Sequence, residues 1–394
     1  MEISLFVGDS EELGDEMISQ RRDFHQHPEL GFEEHRTAKI VAESLKKFGL
    51  AVQTGVAETG VVGLLEGVEA GPAVLMRFDM DALPLQEDTD APYSSQVPGV
   101  MHACGHDGHT AVGMALARIL STYRSEMRGK IKFVFQPAEE GLGGAERMVA
   151  EGVLSNPEPD YALAFHLWNE KPIGWIGIPE GPVMAGAELF EISIRGKGGH
   201  GALPHETADP VLAASQVVTA LQSVVARNVD PLESAVVSVT QLQAGDSFNV
   251  IPKQALLRGT VRTFKPQIRK ITLRRVGQIA KRVSEALGCR AMVGIKRLTP
   301  PVVNDAALAT KIRVLAEDLF PNAVVDDRVA TMVSEDMALM METIPGCYLL
   351  IGSNSPKKKL TASHHSPNFD FDEAVLPKAA ALMAASAWTL LEGS

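Results

Sequence analysis

The order of strand-like and helix-like segments changes twice along the chain, and this feature constrains the fold more than any other. Up to about residue 185, apolar runs typical of buried strands alternate with segments of helical periodicity, which predicts an α/β layer architecture. From 186 to 298 the predicted order is strand, helix, strand, strand, helix, strand, the ferredoxin-like order. Alternation returns at 299–394. We therefore predict one domain made of 1–185 and 299–394, with a second domain, 186–298, inserted into it.

The predicted elements follow from hydrophobic periodicity and from helix start and stop signals. In the first part of the chain we predict helices over 10–26, 34–49, 109–123 and 143–151, and strands over 61–67, 73–84, 130–140 and 161–167. In the insertion we predict strands over 188–198, 234–245, 253–264 and 289–298, and helices over 209–227 and 266–287. In the last part, the alternating segments are 306–319, 335–342, 346–352 and 373–391.

Charge and composition disfavour several classes of protein. The chain has 394 residues, with 37 basic against 49 acidic side chains and a net charge of −12. A phosphate-binding surface needs a basic field, so we expect no nucleic-acid partner. No signal peptide is visible, and no uninterrupted apolar run has the length that spans a bilayer, so we expect no membrane partner. Three cysteines are too few for a disulfide framework, which favours a reducing cytoplasm.

The densest cluster of metal-ligating side chains lies in the segment MHACGHDGHT, residues 101–110. Its members are His102, Cys104, His106 and His109. Thiolate and imidazole are preferred by zinc and neighbouring first-row metals. Cys104 and His106 are alternate residues of an extended turn and can direct two donors to one point. A structural zinc clip and an ordinary glycine turn remain alternatives at this stage.

A second motif, FVFQPAEEGLGGA at 133–145, places two glutamates at the end of an apolar strand. Open α/β sheets carry their functional sites at the carboxyl edge of the strands. One carboxylate, Glu139 or Glu140, can therefore bind a metal while its neighbour takes a proton from metal-bound water. Two solvated surface charges are the alternative.

For several other side chains, the evidence for a functional role is weaker when each is considered alone. His166 ends an apolar strand, where a hydrogen-bonded core histidine is the simpler interpretation. His364 and His365 precede Pro367 and an acidic helix start. Asp79 and Asp81 lie two residues apart on one face of a predicted strand. Such a carboxylate can orient a ligand histidine by accepting its free N–H, although a surface strand end is also possible.

Eight motifs in this order resemble the aminoacylase/carboxypeptidase family of metallohydrolases. They are RFDMDALP, HACGHDGHT, FQPAEEGLGGA, GKGGHGALPH, FNVIP, GTVRTF, SEDM and HSPNFDFDE. More closely, they resemble its branch of N-acyl-amino-acid amidohydrolases, hippurate hydrolases and indole-acetyl-amino-acid hydrolases. The resemblance runs from about Arg21 to Glu373. It implies a zinc-exopeptidase-like catalytic domain with an inserted ferredoxin-like α+β dimerisation domain.

The resemblance also implies roles for single residues. It makes Cys104 the bridging ligand of two divalent ions (Zn, Mn, Co or Ni), and the other ligands are His106, Glu140, His166 and His365. His365 is chosen over His364 because the family pattern is a histidine, one residue, then proline. Glu139 resembles the general base and Asp81 the orienting aspartate, while Asp79 stands where the peptidase branch has a metal-binding histidine. His200 resembles a histidine that reaches over the partner subunit's active site, and Asn249 and Arg262 resemble binders of the substrate carboxylate.

These roles imply a hydrolase that cleaves the amide bond of small N-acyl-L-amino acids. Attack by a metal-bridging hydroxide, with Glu139 as general base, would give a carboxylic acid and an amino acid. The resemblance also implies a homodimer or homotetramer formed through the inserted domain. A dipeptidase or carboxypeptidase on the same fold is the first alternative, and a non-catalytic structural-zinc module is the second.

Overall fold

The computed structural model describes residues 2–393, and the chain divides into two compact units. Unit 1 consists of Met1–Val183, Val303–Ala330 and Asp336–Ser394, and unit 2 of Met184–Val302 and Thr331–Glu335. The predicted boundaries were 185/186 and 298/299. The short return of the chain at Thr331–Glu335 was not foreseen, because it contains no helix or strand that a periodic pattern could mark.

The first part of the chain contains five helices and seven strands within the described residues. The helices are α1 (Leu5–Glu12), α2 (Gly14–Gln26), α3 (His35–Lys47), α4 (His106–Thr122) and α5 (Gly144–Ala150). The strands are β1 (Ala51–Val56), β2 (Gly60–Glu66), β3 (Glu69–Asp79), β4 (Arg128–Gln136), β5 (Tyr161–Pro172), β6 (Trp175–Gly177) and β7 (Gly181–Met184).

Unit 2 has the predicted strand and helix order, with small additions. Its elements are β8 (Gly186–Arg195), β9 (Gly199–His200), α6 (Pro210–Leu221), α7 (Ser223–Asn228), β10 (Ala235–Ala244), β11 (Val250–Ile251), β12 (Gln254–Thr263), α8 (Pro266–Ala286) and β13 (Arg290–Thr299). The antiparallel sheet has the order β10-β12-β8-β13, and β9 pairs with β11 as a separate ribbon. Alternate residues of β8, such as Phe190, Ile192 and Ile194, form the core with residues of the helices.

The last part of the chain completes unit 1. Its elements are β14 (Val302–Asn304), α9 (Ala306–Leu319), β15 (Val324–Asp326), α10 (Ala338–Met341), β16 (Gly346–Asn354) and α11 (Leu376–Glu392). The central sheet has eight strands in the order β1-β2-β4-β3-β5-β16-β6-β15. Its middle strands β4, β3, β5 and β16 are parallel. They are nearly continuous in buried apolar residues, as a sheet covered on both faces requires. The predicted α/β class is confirmed.

Several predicted elements differ from the structure. The helix predicted over 10–26 is divided into α1 and α2, the helix predicted over 209–227 into α6 and α7, and the strand predicted over 130–140 ends at Gln136. Helix α4 begins at His106 rather than at 109, because Gly105 adopts a left-handed conformation (φ 91°) that lets the chain turn directly into the helix. The strand predicted over 73–84 ends at Asp79, although the apolar, buried run continues beyond it. Strand β1 was missed because it is a short, mostly exposed edge strand, and its residues AVQTGV show no regular alternation of apolar and polar side chains.

One segment, Glu373–Glu392, is long and apolar enough to cross a membrane by length and composition. In the structure, 78% of its most apolar window is buried inside the protein. Most of it is helix α11, which lies in the hydrophobic core of unit 1. This is the environment of a core helix in a globular protein, and it explains why the helix is apolar nearly all round.

A buried ammonium group holds the loop that leads into β5. Lys132 on β4 is 3% exposed. Its Nζ donates to the backbone oxygens of Val153, Ser155 and Pro157 at 2.8, 2.8 and 2.7 Å. Burial lowers the pKa of Lys132 to about 8. The three acceptors nevertheless match the three N–H donors of the charged form, so they oppose that shift.

Lys132→Met is expected to lower the free energy of unfolding by roughly 2–4 kcal/mol, because several buried carbonyl oxygens lose their donor. Urea denaturation measures the change. Lys130→Met is the matched control, since Lys130 lies on the same strand but its side chain is 43% exposed and pairs with an exposed Glu66. The control is expected to stay within about 0.5 kcal/mol of the parent. Equal effects of the two substitutions would contradict a structural role for the buried ammonium.

Candidate metal centre and active site

The candidate site lies where parallel strands of unit 1 reach their carboxyl ends. Glu139 and Glu140 follow β4, His166 lies on β5, and Cys104 precedes α4. His365 belongs to the segment before α11, and its backbone N–H donates to Ala103 O at 2.8 Å. Segments far apart in sequence therefore meet at one edge of the sheet, the usual place for a site in this architecture.

The five predicted ligands form two groups that share Cys104. In the first group, one donor atom each of Cys104, His106 and His166 lies within 4.8 Å of the others. The second group joins Cys104 with Glu140 and His365 under the same distance limit. A further group contains His106, Glu140 and Glu139. Cys104 would therefore be the ligand shared between two cations held by these groups.

Both predicted ligand histidines of the first group donate from Nδ1 to a backbone oxygen. His106 Nδ1 donates to Asp81 O at 2.9 Å. His166 Nδ1 donates to Leu167 O at 2.7 Å, and its Nε2 lies 3.4 Å from Cys104 Sγ. A ligating histidine donates its second N–H in this way, which fixes the tautomer and leaves Nε2 for the cation.

The electrostatics of the site also fit a metal. Burial and the neighbouring Glu140 raise the pKa of the Cys104 thiol well above its ordinary value, so the thiolate needs a compensating positive charge. Burial lowers the pKa of His166 well below its ordinary value, which keeps the ring neutral as a ligand must be. Glu140 Oε1 is buried and has no partner in hydrogen-bonding geometry, although His365 Nε2 lies 3.2 Å away. Thiolate, imidazole and carboxylate donors together suit divalent transition ions.

Two aspartates after or within β3 support these ligands differently. Asp81 Oδ1 lies 3.3 Å from His106 Nδ1, and Asp81 Oδ2 accepts the Glu140 N–H at 3.0 Å. Asp81 thus contacts two predicted ligands. Asp79 accepts from Arg77 Nη1 at 2.5 Å and from His109 Nδ1 at 2.6 Å. The carboxylate of Asp79 thus forms a buried ion pair with Arg77. Its Oδ2 lies 3.7 Å from His106 Nε2.

Two other histidines of the sequence motifs are occupied elsewhere. His109 uses both ring nitrogens, because Nδ1 donates to Asp79 and Nε2 accepts the Leu167 N–H at 3.0 Å. His364 Nε2 donates to Leu167 O at 2.9 Å. Both therefore hold the backbone of Leu167, the residue of β5 that follows His166. Sequence analysis could not separate ligand from support among these residues without the family pattern.

Three predicted residues lie in unit 2. His200 on β9 is exposed and faces Val250 on β11, and Gly201 N donates to Asn249 O at 2.8 Å. The structure thus brings His200 and Asn249 together on one ribbon. Arg262 lies on β12 and is half-buried, and its Nη1 is buried without a hydrogen-bond partner. Burial lowers the pKa of Arg262, with Glu188 opposing the shift.

Sequence analysis missed buried charged residues next to the site. Glu34 accepts the backbone N–H of Ala138, directly before Glu139. Arg21 lies against Asp107, the residue after His106, at 2.8 Å. In the sequence, Glu34 is one of several polar residues before a helix and Arg21 is one of a basic pair. Their burial depends on partners far along the chain, and no local pattern reveals it.

The fold and this donor set define a metal-dependent hydrolase of the α/β class. The profile of the peptidase family M20/M25/M40 matches residues 75–389. The Bacillus subtilis protein YhaA is 40% identical over 95% of this chain and 94% of its own. The IAA-amino acid hydrolase ILR1-like 4 of Arabidopsis thaliana is 40% identical over 95% of this chain and 85% of its own length. The N-acetylcysteine deacetylase of Bacillus subtilis is 39% identical over 95% of this chain and 97% of its own length. The chain belongs to the peptidase family M20/M25/M40.

Solved structures agree with this assignment. The YXEP protein of Bacillus subtilis, described as a dinuclear metal binding peptidase of the M20 family, is 35% identical and superposes with a TM-score of 0.85 over 98% of this chain and 100% of its own. A Staphylococcus aureus protein, 31% identical, superposes with a TM-score of 0.93 over 99% and 100%. The resemblance drawn from the eight motifs is confirmed, as is the fold class.

Proposed function

We propose that the protein hydrolyses the amide bond of N-acyl amino acids, using two divalent ions held by Cys104, His106, Glu140, His166 and His365. The observation that carries this proposal is the joint placement of Glu139 and Glu140. Glu140 shares a donor group with Cys104, and Glu139 lies in an adjoining group with His106. A closed structural zinc site needs four ligands and no additional carboxylate beside them. Two relatives carry the names of enzymes that cleave acylated amino acids.

Glu139 is the proton carrier of the proposed reaction. When bound, the divalent ions lower the pKa of a water molecule and polarise the scissile carbonyl. Glu139 accepts the proton of the attacking water and delivers it to the leaving amide nitrogen, acting as base and then as acid. Glu140 would serve as a metal ligand and takes no part in the proton transfer. Asp81 orients His106 and accepts the Glu140 N–H, so the same aspartate holds a ligand from each group.

Three residues of unit 2 have proposed roles in binding the substrate and stabilising the oxyanion. Asn249 and Arg262 bind the free α-carboxylate of the substrate, which selects acylated amino acids over internal peptide bonds. A guanidinium suits this role because it grips a carboxylate with two parallel hydrogen bonds. His200, which is exposed on β9, donates to the oxyanion of the tetrahedral intermediate at the partner subunit's site. The unpartnered Nη1 of Arg262 supports the assignment of a ligand there.

Arg262→Lys is expected to raise KM for an N-acyl amino acid by roughly 10- to 100-fold while kcat changes little, because one charge-assisted hydrogen bond is lost. The corresponding N-acyl amino acid amide, which lacks the carboxylate, should show no such change. Arg258→Lys is the matched control on the same strand, since Arg258 is exposed and pairs with Glu191. An equal rise in KM for the acid and the amide would contradict carboxylate binding by Arg262.

The function is tested by a substrate screen after reconstitution of metal-free protein with Mn, Zn, Co and Ni separately. The panel contains hippurate, N-acetyl amino acids and dipeptides, and metal stoichiometry is measured in parallel. We expect two ions per chain and turnover of the acylated amino acids. Turnover of dipeptides alone would favour the carboxypeptidase or dipeptidase alternative. A single tightly held zinc with no hydrolysis would indicate a structural metal module.

We further propose that unit 2 mediates a homodimer or homotetramer and that the enzyme works in the cytoplasm. The exposed position of His200 supports the first proposal, because such a residue can serve a site on a second copy. The three free cysteines support the second, since no disulfide requires an oxidising compartment. A sedimentation measurement that gives only a monomer would contradict the proposed assembly.

A further inference from the structure

The main chain beside Glu139 adopts a conformation that side chains rarely allow. Ala138 has a φ of 55°, in the left-handed region, although it is not glycine. A residue other than glycine is strained in this conformation, which persists only where the surroundings hold it. Because Ala138 directly precedes Glu139, this turn sets the direction in which the Glu139 side chain leaves the strand end.

Glu34 is the side chain that holds this turn from outside it. It is fully buried, and its Oε1 accepts the Ala138 N–H at 2.9 Å, while its Oε2 accepts from Thr59 Oγ1 at 2.5 Å. The segment around it packs tightly against the turn, since a Cβ added at Gly31 would lie 3.0 Å from Ala138 Cα.

The position of Glu34 in its own helix makes this contact informative. Glu34 is the N-cap of α3, but its side chain accepts no hydrogen bond from the first turn of that helix, where Glu29 accepts the N–H groups of Arg36 and Thr37 at 2.8 Å. The carboxyl group of Glu34 serves the turn before Glu139 instead. Burial, together with Asp81, raises the pKa of Glu34 to about 7 although its hydrogen bonds oppose the shift, so a carboxyl group here is costly to keep.

A second carboxylate, that of Asp81, holds the backbone on the other side of Glu139. Asp81 Oδ2 accepts the Glu140 N–H at 3.0 Å, and Ala138 O accepts the Gly144 N–H at 3.0 Å. The backbone amides immediately before and after Glu139 are therefore each fixed by an acidic side chain. Asp81 contacts a predicted metal ligand, whereas Glu34 contacts the turn and Thr59.

We propose that Glu34 is a positioning residue for catalysis: by holding the Ala138 N–H it fixes the left-handed turn and thereby aims the Glu139 carboxylate. This inference rests on the proposed role of Glu139. Its direct consequence is that loss of the Glu34 acceptor lowers the rate of the chemical step while substrate binding and metal content stay the same.

The test compares Glu34→Ala with Glu34→Gln in the metal-loaded enzyme. For Glu34→Ala we expect a kcat lower by roughly 10- to 100-fold with KM and metal stoichiometry unchanged, since misplacement of a catalytic group by about 1 Å costs this much. Amide hydrogen exchange in peptides covering 137–144 should become faster without substrate. Glu34→Gln should restore most of kcat and slow exchange, because its carboxamide oxygen accepts from Ala138 and its NH2 group donates to Thr59 Oγ1. Glu33→Ala, at the neighbouring exposed residue, is the control.

Several outcomes would overturn the proposal. Parental kcat in Glu34→Ala despite faster exchange would show that the turn does not aim Glu139, and a fall in metal content or a rise in KM alone would show a different role. If Glu34→Ala does not fold, Glu34→Asp replaces it. The shorter side chain cannot reach both Ala138 N and Thr59 Oγ1 in the same geometry. A parental kcat in Glu34→Asp would therefore also contradict the proposal. A failure of the proposed function would be recognised in a separate experiment. In that case the Glu139→Gln enzyme, which lacks the carboxylate, would still turn over substrate.

Discussion

Glu139→Gln is expected to lower kcat by roughly 10²–10⁴-fold, the usual contribution of a general acid–base group, while the protein keeps its full complement of metal. The carboxamide has nearly the same shape as the carboxylate but cannot take a proton from water at neutral pH. Steady-state kinetics on an N-acetyl amino acid and metal analysis of the same sample give both quantities. Retention of near-parental turnover would remove Glu139 from the mechanism.

Glu140→Gln is the matched control, because it makes the same chemical change one residue further along the chain. Glu140 belongs to the group with Cys104 and His365, and its buried Oε1 has no partner in hydrogen-bonding geometry. The control is therefore expected to lose metal together with activity. If both variants kept their metal and lost activity equally, the division into one ligand and one base would be wrong.

The local motifs carried most of the candidate site. Cys104 and His106, and likewise Glu139 and Glu140, are close in sequence, so their residue types and spacing favoured metal chemistry, with a glycine turn, a structural zinc clip and surface charges as the alternatives. His166 and His365 could not be assigned in this way. Each lies on a separate segment and has an ordinary alternative role, and only the resemblance to a family linked them. The structure brings all of them to one edge of the sheet.

The supporting shell could not be predicted, because it consists of contacts between distant charged residues. Lys132 lies in a strand whose apolar pattern gives no reason to bury an ammonium group. Glu34 acts on Ala138, which is 104 residues further along the chain. Hydrophobic periodicity identifies which apolar faces are buried, but it contains no information on which charges find partners inside. Family motifs likewise mark residues without stating what they touch.

Arg21 is the clearest example of a buried charged residue whose partners lie far along the chain. Its side chain is fully buried, and its guanidinium donates to Asp107 at 2.8 Å, to Asp370 at 2.7 Å and to Glu373 at 3.2 Å. It also lies over the ring of Phe371, 4.3 Å from the centroid. Asp107 is 86 residues away and Asp370 is 349 residues away. The planar group therefore ties helix α2 to the first turn of α4 and to the segment that follows His365.

Arg21→Met is accordingly expected to lower the free energy of unfolding by about 3–5 kcal/mol, because it leaves buried carboxylates without their counter-charge. Arg22→Met is the matched control, since Arg22 pairs with the same Glu373 but its side chain is 44% exposed. Exposed ion pairs contribute about 0–1 kcal/mol, so the control should remain close to the parent in urea denaturation. Metal affinity should also fall in Arg21→Met, by roughly 10- to 100-fold, because Asp107 adjoins His106 and loses its orientation. If the two substitutions cost the same, or if only Arg22→Met weakened metal binding, the buried network would not be what holds the metal-binding turn in place.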